Sequence, residues 1–183
     1  MRNTGITVHP LVVVSVLVIS ALGLLKLSFC DDHSAEIRAE ALRMSKALVK
    51  GDYKTVAYYT FPLILEQMGG EKKMIEVMQQ GTLDMQNRGI RYSSNNIGTP
   101  EPVREINGKL YALVPQTIRI EMPQGILVQE SHLLAVSEDG GKRWYFVDTA
   151  PLGDDQKLGV VFPDLVGKIK VPVRKQPILT PKK

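Results

Sequence analysis

The spacing of apolar residues changes period once along this 183-residue chain, between Gly89 and Ile90, and that change decides the fold class. Before it, apolar positions recur at threes and fours. Ile37, Ala41, Met44 and Leu48 define one helix face, with Glu36, Arg38, Glu40, Arg43 and Lys46 around the rest. Gly51 suits the stop of that helix, and Asp52 caps a second, Tyr53 to about Thr60. Phe61-Pro62 breaks it, because proline lacks an N–H and drives the residue before it out of the α region. Pro62 opens a further turn, Leu63 to Met68, which Gly69-Gly70 ends. A third full helix reads from Glu71 to Arg88, with Met74, Val77, Met78 and Met85 inward as core filler.

From Ile90 the period is two. Asn107-Gly108 lies between two such runs, a pair that accepts positive φ at both turn positions and so predicts a tight hairpin. Pro115 predicts a bulge or bend in the long strand that follows. Pro123-Gln124-Gly125 reads as the next turn, and Ser137 to Trp144 as the one after. Helices followed by an antiparallel meander give an α+β domain with the helices on one face of the sheet. Its expected extent is residues 31–150. Beyond Asp148 the periodicity is lost, and residues 151–183 read as a loop, with Val160-Val161-Phe162-Pro163 packing back, then a basic tail containing Pro172, Pro177 and Pro181.

Two resemblances sharpen this reading. Ser137, Asp139, Gly141 and Trp144 match the S-x-D-x-G-x-x-W pattern of an Asp-box, a hairpin motif that sialidase propellers repeat. It occurs once here, so it implies a structural turn and no propeller. The Gly51-Asp52-Tyr53 junction, Tyr59-Thr60-Phe61-Pro62, Gly69-Gly70-Glu71-Lys72 and the closing Trp144-Tyr145-Phe146-Val147-Asp148 resemble the nuclear transport factor 2-like superfamily over roughly residues 35–148. That resemblance, shared with exported bacterial proteins of the same shape, implies helices packed into a curved, cone-like antiparallel sheet that leaves a pocket. The superfamily holds isomerases, cyclases and many non-catalytic domains, so the fold alone does not give the function.

Residues 1–30 set the expected location. An uncharged run from Leu11 to Leu25 is followed by Lys26 and then, abruptly, by Asp31-Asp32. Three readings stay open: a signal peptide cut after Cys30, an uncleaved anchor over residues 11–29, or a lipoprotein signal. Leu27-Ser28-Phe29-Cys30 resembles a bacterial lipobox, which implies lipidation of Cys30, with Phe29 where the pattern has a small residue. All three send the domain to the cell envelope, periplasmic or extracytoplasmic and held at the membrane through its N-terminus. Cys30 is the only cysteine, so the domain holds no internal disulfide. The net charge of +4 comes from the ends: residues 31–166 carry 15 basic against 19 acidic groups, a poor footprint for nucleic acid.

Candidate chemistry lies on one strand pair. A three-residue loop at Pro123-Gln124-Gly125 would set Met122 opposite Ile126, Ile120 opposite Val128, Ile118 opposite Glu130 and Gln116 opposite His132. The inward face would then be apolar, Leu134 and Val136 included, except for Gln116, Glu130 and His132, and polar groups on such a wall must be paired or wet. One reading makes Glu130 or His132 a general base, with Tyr111 or Tyr59 polarising a bound carbonyl and Asp148 joining them. The other puts these residues at the rim, or pairs them with Arg119. His132 is the only histidine in the globular body apart from His33 beside the anchor, which argues against a multi-histidine metal site. Neither a dinucleotide fingerprint nor a phosphate loop is present, and no cofactor is expected. The expected function is a non-catalytic domain binding a small apolar ligand or a partner protein; the alternative is an isomerase- or cyclase-like enzyme.

Overall fold

The structure is a computed structural model that describes residues 33–152, 155–173 and 175–182. The N-terminal segment, with the signal, anchor and lipidation readings at Cys30, lies outside the described residues. Four helices come first. α1 (Ser34–Lys50) buries Ile37, Ala41, Ser45 and Ala47 and ends where Gly51, at φ 76°, closes the last turn onto the carbonyls of Ala47 and Leu48. Asp52 starts α2 (Tyr53–Tyr59), its carboxylate accepting both the backbone N–H (3.1 Å) and the hydroxyl (2.7 Å) of Thr55. Pro62 takes the first position of α3 (Pro62–Gln67), where its missing N–H costs nothing. α4 (Glu71–Asn87) buries only Met74; Met78 and Met85 are half-buried, and Val77, expected inward, is 48% exposed on the outer side.

Six strands make one strongly curled antiparallel sheet, a half-barrel, so the α+β architecture is that expected from the order of periodicities. β3 (Lys109–Met122) and β4 (Gly125–Ser137) form a long central hairpin. β1 (Arg91–Ile97) and β2 (Arg104–Ile106) share the outer edge of β3, while β5 (Tyr145–Asp148) and β6 (Ile178–Pro181) share that of β4. Asn107 and Gly108 join β2 to β3 with φ of 52° and 76°, both positive as a type I′ turn requires. Pro115 sits in register opposite His132, with no bulge in this pair; its carbonyl accepts the N–H of Gly98 at 2.8 Å. The register shift lies instead between Tyr92 and Ser94 of β1.

The central hairpin corrects the expected register by one residue. Met122 pairs with Gly125 across a two-residue Pro123-Gln124 turn, so Gln116 faces Ser131, Ile118 faces Gln129 and Thr117 faces Glu130. Gly125 is a strand residue, not a turn residue. A side chain there would run into the backbone of Thr180 and Pro181, because β6 lies against it. Matching apolar to apolar could not find this slip, since Leu133, Leu134, Ala135 and Val136 are all buried.

They are buried because both faces of the sheet are covered. On one face Ala112, Val114, Leu133, Ala135 and Phe146 pack with Ile37 and Ala41 of α1. On the other, Tyr111, Leu113, Leu134, Val136 and Val147 are covered by the C-terminal segment. Residues 151–183 are therefore not a loop and tail. They hold α5 (Asp155–Val161), a 3₁₀ turn over Pro163–Leu165 and β6, and they bury Leu158, Val161, Phe162, Leu165 and Ile169. Among the described residues no helix is long and apolar enough to cross a membrane.

Candidate functional site

Where the C-terminal segment meets α3 and the start of β3, the two leave an open groove of about 330 Å³. Its floor is aromatic. Phe61 precedes the proline that starts α3, and Phe162 precedes the proline of the 3₁₀ turn, so both chains turn sharply there and bring the two rings to 5.1 Å. Tyr111 meets Phe162 edge-on at 6.4 Å, and Tyr145 meets Phe61 edge-on at 6.0 Å. Tyr111 is 2% exposed and lines the groove. Leu63 and Pro163 stand at the lips.

The rim is charged. Lys109 Nζ donates to Glu138 Oε1 at 2.6 Å, and that hydrogen bond is the main reason the ammonium holds its proton above the usual lysine range. Glu66 and Asp164 complete the rim, Asp164 Oδ1 accepting from the Asn107 amide at 2.8 Å. Burial pushes the Tyr111 phenol up; the Lys109 charge opposes this, while Asp164 and Glu138 add to it. A smaller cavity of about 110 Å³ lies between the end of α1, α4 and β1, beside the Tyr53 hydroxyl that donates to Thr82 at 2.6 Å. Only the larger groove is of the size that takes an organic ligand.

The residues singled out in the sequence do not gather in one place. Tyr111 lines the groove. Tyr59 packs on the opposite, α1 side of the sheet, its ring 6.1 Å from Phe146. Asp148 is exposed at the end of β5 and accepts the Ala150 N–H at 2.9 Å. Glu130 and His132 share a face, but the one-residue slip puts it opposite α1 and away from Gln116. Glu130 is exposed and held by Lys175 at 2.7 Å, whose hydrogen bond and charge keep its carboxyl below the usual range. His132 is half-buried, and its carbonyl accepts both the N–H (3.0 Å) and the hydroxyl (2.9 Å) of Thr149.

Gln116 has other company. On the α1 face, Asn95 Nδ2 donates to Gln116 Oε1 (3.1 Å), Gln116 Nε2 donates to Ser131 Oγ (3.0 Å), and Ser45 Oγ donates to the Asn95 carbonyl (2.6 Å). This buried ladder ties β1, β3, β4 and α1 together and pairs both ends of the Gln116 amide, while Asn95 Oδ1 is left without a partner among the described residues. Sequence reasoning missed Phe61, Phe162, Lys109, Glu138 and Glu66. The signal available was the pair of Phe-Pro steps, since each ends a turn with an aromatic ring beside it.

The Ser137–Trp144 turn is built from within. Asp139 Oδ1 accepts the Ser137 hydroxyl (2.9 Å) and the Arg143 N–H (3.0 Å), while Ser137 Oγ accepts the Gly141 N–H (2.9 Å). Gly140 and Gly141 sit at φ 74° and 92°. The carboxyl of Asp139 is held below its ordinary 3.8, first by Ser137 and then by the Arg143 N–H. A group with a depressed folded pKa stabilises fully above its unfolded pKa and ceases to do so as pH falls through its folded value. The wild type should thus melt above Asp139→Asn at neutral pH, and the gap should close in acid below that range. A gap independent of pH would show that the charge is not what holds the turn.

No protein-family model matches this chain, and no curated protein matches it.

Proposed function

We propose that this chain is an exported, membrane-proximal, non-catalytic domain that binds a small apolar ligand in the groove between α3, β3 and the C-terminal segment. The observation that carries the reading is the groove's aromatic floor: Phe61, Tyr111 and Phe162 surround an open space with a charged lip, the pattern of a ligand site. Its size favours a small molecule over a protein segment. The curled sheet packed against helices supports kinship with the nuclear transport factor 2-like superfamily, and residues 1–30 support export. The isomerase- or cyclase-like alternative draws on Glu130 and His132. With Glu130 tied to Lys175 in solvent, it has no shared wall with Gln116 to work on.

The test uses the full chain in lipid nanodiscs, with empty nanodiscs as blank, and phenethyl alcohol as an uncharged probe read by ligand-detected NMR. The probe should bind, and Leu63→Asp, which places a carboxylate at the groove lip, should weaken binding by about tenfold with only a small change in melting temperature. Equal binding by a folded Leu63→Asp variant would refute the groove as the site. Export is read from the same expression: the chain should fractionate with the cell envelope, and a soluble cytosolic chain still bearing Met1 would refute it.

A further inference from the structure

The rim of the groove is unbalanced. Lys109 is its one cation among the lining residues, and Glu138 already neutralises it at 2.6 Å. Glu66 and Asp164 remain. Glu66 is exposed and makes no ion pair among the described residues, and the partner of Asp164 is the uncharged amide of Asn107. Arg104, paired with Tyr111 across β2 and β3, donates to the carbonyl of Lys168. The floor adds to the same preference, because aromatic faces carry negative quadrupole potential and attract a cation set above them. The protein already uses this contact next door: the Arg143 guanidinium lies 4.5 Å from the centre of the Tyr58 ring and 4.8 Å from that of Tyr145, the ring that packs on Phe61. Tyr111 lines the same groove as these carboxylates and brings a phenol hydroxyl to it.

We infer that the groove selects a small hydrophobic cation, an organic ammonium ion with an aryl or alkyl body, whose apolar part lies on Phe61 and Phe162 and whose charge sits between Tyr111, Glu66 and Asp164. This rests on the groove being a binding site and adds the sign of the ligand's charge. An anion meets two carboxylates and no free cation. A neutral ligand gains from the floor alone.

The experiment compares three probes of one shape on the full chain in nanodiscs: phenethylammonium, phenethyl alcohol and phenylacetate. Phenethylammonium should bind about tenfold more tightly than the alcohol at low salt, an advantage that shrinks as salt screens the rim. Phenylacetate should bind most weakly. Glu66→Gln combined with Asp164→Asn should bring the ammonium to within about twofold of the alcohol, with the alcohol unchanged. Glu66→Gln alone, at an exposed helix position, should remove part of the advantage, so the result stands even if Asp164→Asn disturbs the Asn107 contact. Equal affinity of ammonium and alcohol, or tighter binding of phenylacetate, would overturn the inference and leave the groove reading standing. Failure of all three to bind a folded chain would overturn both.

Discussion

A chain ending at Leu152 will not fold. Removing the rest strips Leu158, Val161, Phe162, Leu165 and Ile169 from one face of the sheet and leaves Tyr111, Leu113, Leu134 and Val136 bare. Burial of each lost side chain contributes roughly 1.5–3 kcal/mol. Together they rival the whole stability of a typical domain, about 5–15 kcal/mol, and the entropy regained by the missing segment offsets only part of this. Circular dichroism should show no cooperative melt, whereas the single change Phe162→Ala should fold with a loss of about 3–5 kcal/mol. A truncated chain melting within a few degrees of the intact one would mean that the C-terminal segment is an appendage.

Trp144→Ala should cost about 3–5 kcal/mol, the range for emptying a fully buried large aromatic site. The ring is 0% exposed and belongs to the layer between α1 and the sheet. It lies 5.5 Å from the His33 ring, so the Ser137–Trp144 turn also meets the start of α1. Trp144→Phe separates packing from polarity. Among the described residues the buried indole Nε1 has no partner, so losing it removes a stranded donor, and this variant should cost much less than the alanine. Chemical denaturation of both variants decides the matter. Equal losses would mean that the indole nitrogen has a bonded role, and no loss in Trp144→Ala would mean that the ring is not part of the core.

The parts of the fold that could be read from the chain are those set by local chemistry. Gly51, Asp52, Pro62 and Gly69-Gly70 each act within one turn of backbone, and the boundaries from the end of α1 to the start of α4 fall within a few residues of them. Asn107-Gly108 is of the same kind. The register of β3 against β4 was not legible, because reading it requires knowing which face is buried, and here both are. Of the C-terminal layer only the packing of Val161 and Phe162 could be anticipated, and the rest was hidden for a related reason. Leu158, Val161, Phe162, Leu165 and Ile169 do recur at threes and fours, but Gly159, Pro163 and Gly167 interrupt the run and make it resemble a loop. With most of that layer unseen, nothing in the sequence tied Tyr111 to it. Its neighbours in the groove, Phe61 and Phe162, lie about a hundred residues apart, a distance that no local pattern spans.

The two coats of the central hairpin also arrive at different times. During synthesis α1 is made before the strands and is waiting when β3 and β4 emerge, so one face can be covered at once. The other face must wait for the segment that follows β5, and Gly125 at the hairpin tip is not enclosed until β6 comes to lie on it. Contacts of such long sequence separation form slowly, and until they do the hairpin shows bare apolar surface. Closing the second face is therefore the step that sets how long the domain takes to complete its fold.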